Sequence, residues 1–167
     1  MKAASKFLRA ARLDRTVFEE VRWDDEVTSE TIIGIAIISL VQYIGFIVLQ
    51  GAPIGLSIIR GLLESILRGA ILWLIASLAL WLVATYAFGT RRSGQEIVRV
   101  VGVGYLPYVL LAAIPLFAFA PIVAGVWFVA ILTVAVQVLY GFPMGKAFAT
   151  AVLAVAVWVV FILLLLG

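Results

Sequence analysis

Lys146–Leu166 reads KAFATAVLAVAVWVVFILLLL, a single lysine followed by an apolar run without one charge. At about 1.5 Å of rise per residue, a helix of roughly 20 residues matches the 30 Å hydrocarbon core of a bilayer. In hydrocarbon every backbone N–H and C=O must find its partner inside the protein, which leaves helices or a closed barrel. The run does not alternate with period two, so a helix is predicted. Working outward, Thr31–Gln50, Gly69–Phe88, Ile97–Phe117 and Pro121–Tyr140 read the same way. The sequence therefore predicts an all-α integral membrane protein: a polar, amphipathic segment over residues 1–30, then a bundle of five transmembrane helices over residues 31–167. A hydrophobic fraction of 65% and a mean hydropathy of +1.23 exclude a water-soluble core.

Charge sets the expected orientation. Lys2, Lys6, Arg9, Arg12, Arg15 and Arg22 precede the first span, Arg91, Arg92 and Arg99 surround the second connection, and Lys146 precedes the last span. Only Arg60 and Arg68 fall on the opposite side. The positive-inside rule then predicts a cytoplasmic N-terminus and an external C-terminus. This placement assigns the net charge of +3 to topology rather than to nucleic acid. The first span starts behind an acidic segment and lacks an A-x-A site, so it is read as a retained anchor.

Missing residue types narrow the chemistry. The chain has no His, Cys or Asn, and its methionines are Met1 and Met144. Imidazole and thiolate ligation, disulfides and His-assisted nucleophiles cannot be built from this chain, and no cofactor is expected. Lack of Asn and Cys is a trait of thermophile proteins, although membrane spans deplete Asn as well.

Over residues 2–22, Phe7, Ala11, Phe18 and Val21 share one helical stripe while Lys2, Arg9 and Arg12 face away. Thr16-Val17-Phe18-Glu19 fits a capping box, which predicts a break near Asp14. Phe7, Arg9 and Phe18 are candidate contacts to the anionic leaflet or to a partner; packing on the bundle is the alternative. Asp24, Asp25, Glu26 and Glu30 lack calcium-loop spacing and read as a solvated linker, with Thr28 or Ser29 capping the first span. Trp23 suits the interface.

After the turn at Gly51-Ala52-Pro53, the stretch Ile54–Ile66 is interrupted by Ser57, Arg60, Glu64 and Ser65. It reads as an interfacial or re-entrant helix continuous with the second span. Glu64 and Arg68, four residues apart, form a candidate intramembrane pair. Arg91 and Arg92 could hold lipid phosphates or an acidic partner, or simply anchor the topology. Gly102, Gly104, Pro107 and Pro115 predict a bent third span. Gln42, Thr133 and Gln137 are read as glue between helices. Gly34, Ala36, Ala76, Ala79, Ala147, Ala151 and Ala154 allow close helix approach.

In that order, these features resemble the Yip1-domain family of five-span membrane proteins. The likeness runs from the helix at Thr16–Val21 to the C-terminus. Gly104-Tyr105-Leu106-Pro107 is similar to the family's kinked third-span segment, and Gly141–Lys146 to its turn before the fifth helix. The resemblance implies the fold and topology. Eukaryotic members with long acidic N-termini act in vesicle traffic with prenylated small GTPases. The short basic N-terminus departs from that pattern and looks more like the prokaryotic branch, which implies a cytoplasmic-membrane location.

Three functional classes follow. The first is a non-enzymatic adaptor, scaffold or accessory subunit that contacts membrane lipids and other integral membrane proteins. The second is a small-solute transporter or permease working as an oligomer; homo-oligomers suit either. An intramembrane enzyme, limited to one Glu and tyrosines, ranks last.

Overall fold

The computed structural model describes residues 2–50 and 57–166. Over these the chain is helical: α1 (Lys2–Ala11), α2 (Arg15–Trp23), α3 (Val27–Gln50), α4 (Ser57–Leu82), α5 (Gly94–Val103), α6 (Ala120–Tyr140) and α7 (Met144–Leu166). A π-helical turn, Val83–Ala87, extends α4, and a 3-10 segment, Leu106–Ala113, follows α5. Val27–Gln50, Ile58–Ala87, Ala120–Tyr140 and Met144–Leu164 are each long and apolar enough to cross a bilayer. The expected turn at Gly51-Ala52-Pro53 lies outside the described residues.

The third predicted span is broken rather than gently bent. α5 and the 3-10 segment meet at 44°, with the break at Gly104-Tyr105. Pro107 has no N–H to give and disfavours helical backbone in the residue before it. The ladder tightens there, with Tyr105 N donating to Gly102 O at 3.0 Å. The bent pair still works as one crossing. α5 begins just past the end of α4, whereas Ala112 lies against Gly45 near the far end of α3, so close that a Cβ on Gly45 would stand 2.7 Å from it.

The second span is longer than expected. Ser57–Leu82 is one helix, so the described part of the apolar run 54–66 is continuous with the second span, as expected, and is not re-entrant. Arg60, Glu64 and Arg68 recur every four residues and therefore share one stripe, which leaves the rest of the helix apolar. Close approaches fix the α3–α4 register: a Cβ on Gly61 would meet the Tyr43 hydroxyl, and one on Gly69 the Ser39 hydroxyl.

Phe18, Phe128, Ile35, Leu80, Ile97, Ile131 and Leu132 fill the core. Ala76, Ala79, Ala147, Ala151 and Ala154 are also buried, so these small residues close the bundle instead of offering a face to partners. Thr133 bonds the carbonyl of Val129 in its own helix and is not glue between helices. Gln42 and Gln137 do bond across elements, to Tyr108 O and from Arg15.

The N-terminal segment corrects another expectation. It forms two helices divided at Asp14, as the sequence implied, but the cap is Asp14 itself, whose side chain accepts from Thr16 N at 3.0 Å. Its apolar stripe turns into the bundle. Phe7 and Phe18 are buried and so are neither lipid nor partner contacts. An amphipathic stripe fits a leaflet or a groove equally well, and here α3, α5 and α6 supply the groove.

Candidate functional site

Two regions concentrate polar side chains: the cap formed by α1 and α2, and a cavity on the far side of the bundle.

Ion pairs hold the cap. Lys6 bonds Asp24 at 3.0 Å and Glu30 at 2.8 Å, and Arg22 bonds Glu96 at 2.9 Å. Arg9 forks between Asp14 and Glu20, each at 2.8 Å, which occupies the guanidinium expected to meet lipid or a partner. Arg99 comes from α5 to bond Asp25, the Thr28 hydroxyl at 3.0 Å and the Arg22 carbonyl. The acidic linker is therefore a clasp between cap and bundle as well as a solvated connection, with Asp25 and Glu26 both exposed. Hydrogen bonds from Arg9 hold the Asp14 and Glu20 carboxyls below their ordinary range, and Lys6 does the same for Asp24. Burial disfavours the Lys6 ammonium, but its bonds to Glu30 and Asp24 outweigh that and raise its pKa.

Tryptophans tie the backbone. Trp127 Nε1 donates to Ala11 O at 2.9 Å, joining α6 to the cap. Trp73 Nε1 donates to Val98 O at 3.0 Å, and Trp158 Nε1 to Leu72 O at 2.9 Å. Each indole bonds a carbonyl of a neighbouring helix, a pairing favoured where no water competes.

The cavity measures about 700 Å³ and opens between α3, α4, the broken span and α7. Arg60, Glu64 and Arg68 line one wall, and Ser39, Gln42 and Tyr43 another, with Tyr105, Tyr108 and Trp158 opposite. The expected Glu64–Arg68 pair does not form. Glu64 accepts instead from Arg60 Nε at 2.6 Å, also four residues away but on the N-terminal side. The structure nonetheless brings Glu64, Arg68 and Tyr105 to one cavity, joining the intramembrane charges to the kink at Gly104 and Pro107. Pro107 is buried and Gly104 packs on Ile131. Arg91 and Arg92 stand apart, in the connection after α4, without an ion pair among the described residues. Sequence reasoning passed over Arg99 as a clasp and Ser39 and Tyr108 as cavity hydroxyls. A charge set among the apolar residues that follow Glu96 in α5 was the available signal for the first.

The family model for the Yip1 domain matches residues 15–166. The protein belongs to the Yip1-domain family. No curated protein and no solved structure matches the chain. In this Yip1-domain protein the matched region begins at α2 and takes in every crossing, the clasp and the whole cavity, while α1 precedes it.

Proposed function

We propose that this multi-pass membrane protein is a non-enzymatic adaptor, a scaffold or accessory subunit of a larger membrane assembly, with its cap on the cytoplasmic side of a prokaryotic membrane. Closure of the cap side is the observation that carries this reading. Between cavity and cap, Ile35, Trp73 and Val101 are buried. Gly102 fits there only because it lacks a Cβ, which would stand 1.9 Å from Thr31 Cγ2. A cavity sealed at this layer suits binding better than passage. The exposed apolar stripe of α3, with Ile33, Ile37, Val41 and Ile44, supplies a face for lipid or a neighbouring subunit. Extraction in mild detergent, followed by sizing and mass spectrometry, is expected to return the chain in an assembly of fixed stoichiometry. A lone monomer or homodimer would overturn the adaptor reading.

One observation favours the second reading, an oligomeric small-solute transporter: intramembrane charges and a broken helix meet at one cavity. On that reading Glu64→Gln abolishes flux in proteoliposomes at unchanged protein level, and unchanged flux removes Glu64 as a coupling group.

A further inference from the structure

The cavity does not end at its polar walls. A second hollow of about 260 Å³ shares Glu64, Arg68, Leu72 and Ile162 with it and continues between α4 and α7 past Leu67, Ile71 and Ile75. A polar chamber thus runs into an apolar groove, and the charged residues sit where the two join.

The charges there do not balance. Arg60 neutralises Glu64, and Arg68 has no hydrogen bond or ion pair among the described residues. Its depth makes this costly. Gly69 packs on Ser39, near the middle of the 24-residue α3, so Arg68 lies close to the midplane of the crossing. Half the hydrocarbon thickness, about 15 Å, separates that level from either interface. A guanidinium stays protonated and needs an anion when held at such a depth. An independent observation points the same way. Ser39 and Tyr108 both line the chamber, are almost wholly buried, and carry hydroxyls without a protein partner. Buried hydroxyls of this kind call for a bonding group.

We propose that the chamber and groove bind one anionic phospholipid, its phosphate at Arg68 within reach of the two hydroxyls and an acyl chain along Leu67, Ile71 and Ile75. The chamber lies in the size range of small-molecule sites. The charge left over after the Arg60–Glu64 pair is positive, which selects an anionic head, and the groove selects a chain. This holds whether the protein is an adaptor or a transporter.

The test is native mass spectrometry of the protein in non-ionic detergent with an equimolar mixture of phosphatidylglycerol and phosphatidylcholine of the same chains. One phosphatidylglycerol is expected to remain bound, with about tenfold preference or more, the scale of one charge-assisted bond. Arg68→Gln is expected to lose that preference and Arg68→Lys to keep most of it. Ile75→Trp fills the groove and is expected to weaken retention with the charge untouched, so the test stands even where Arg68→Gln does not fold. Equal retention of the two lipids by the wild type, or full preference in Arg68→Gln, overturns the proposal. Displacement of the lipid by inorganic phosphate would mark a small-anion site, and stronger retention of oleate a fatty-acid site; either result overturns the phospholipid assignment.

Discussion

The Phe7 ring packs against Gly34 with its Cζ end nearest, so that a Cβ on Gly34 would stand 2.2 Å from Phe7 Cζ. The cap is seated through this contact, a ring from α1 in a notch on α3. Gly34→Ala is expected to lift α1 while the crossings remain folded, because the ring can leave with its helix. Hydrogen exchange should rise over residues 2–11 and stay low in α6. Phe7→Ala is expected to cost about 3 kcal/mol in a detergent melt, the usual scale for a buried ring. Unchanged exchange in both variants would remove the contact as the anchor.

Arg99 and Asp25 contribute unequally to the bond they share. The Arg99 side chain is 7% exposed and that of Asp25 90%. Asp25→Asn leaves Arg99 bonded to Thr28 and to the Arg22 carbonyl, and is expected to cost about 1 kcal/mol or less. Arg99→Ala strips all three bonds and leaves a void, for an expected loss of about 2–4 kcal/mol. Thermal melts of the two variants check the order; equal losses would contradict it.

Acid should open the cap before it unfolds the bundle. Asp14, Glu20 and Asp24 have folded-state pKa values below the ordinary carboxylate range. The stability they lend is present above their unfolded values, about pH 4, and is lost as pH falls through the folded ones. Lys6 works in the opposite sense: its share is complete below its unfolded value and fades as pH rises through the raised one. Trypsin is inactive at pH 3, so the measurement is hydrogen exchange at pH 7 and pH 3, expressed as protection relative to the intrinsic exchange rate at each pH. Protection of residues 2–23 is expected to drop at pH 3 and to hold at pH 7; equal protection would show that burial alone seats the cap.

Glycines separate crowded from open positions. Gly102→Ala forces a methyl onto Thr31 and Trp73; Thr31 is β-branched and buried and cannot swing aside. A loss of about 1–3 kcal/mol is expected. Gly125, inside α6, has nothing within 4 Å of an added Cβ, and Gly125→Ala is expected to gain about 0.5–1 kcal/mol. Melting temperatures moving in opposite directions would bear this out.

Orientation can be read on a chain that has no native cysteine. With the cap cytoplasmic and the bent pair crossing once, Ser93→Cys is expected to resist an impermeant maleimide in intact cells and Phe117→Cys to react. Labelling of both or neither would make the bent pair re-entrant.

The crossings were legible because each needs only length and apolarity, and Pro107 announced its break. Glu64 was recognisable as a paired ion, but its partner was not, since Arg60 and Arg68 stand equally four residues away. Only the neighbours of α4 decide between them. The fate of Phe7 and Phe18 was hidden for a related reason: periodicity reports that a face is apolar, not what covers it. The cavity has no sequence signature at all. Ser39, Tyr108 and Arg68 come from three elements, and their meeting depends on helix register, which Gly61 and Gly69 set through contacts no single helix encodes.

Arg15 and Gln137, bonded at 2.8 Å, also put a clock on assembly. At about 5–20 residues per second, roughly 6 to 25 s of synthesis separate the two residues. For that interval α2 has been made and its seat on α6 has not. The apolar stripe that ends inside the bundle must spend it elsewhere, on the leaflet or in the keeping of the insertion machinery. The amphipathic pattern that reads as a surface helix thus has an interval early in the life of the chain when nothing of α6 covers it, before the fourth crossing arrives.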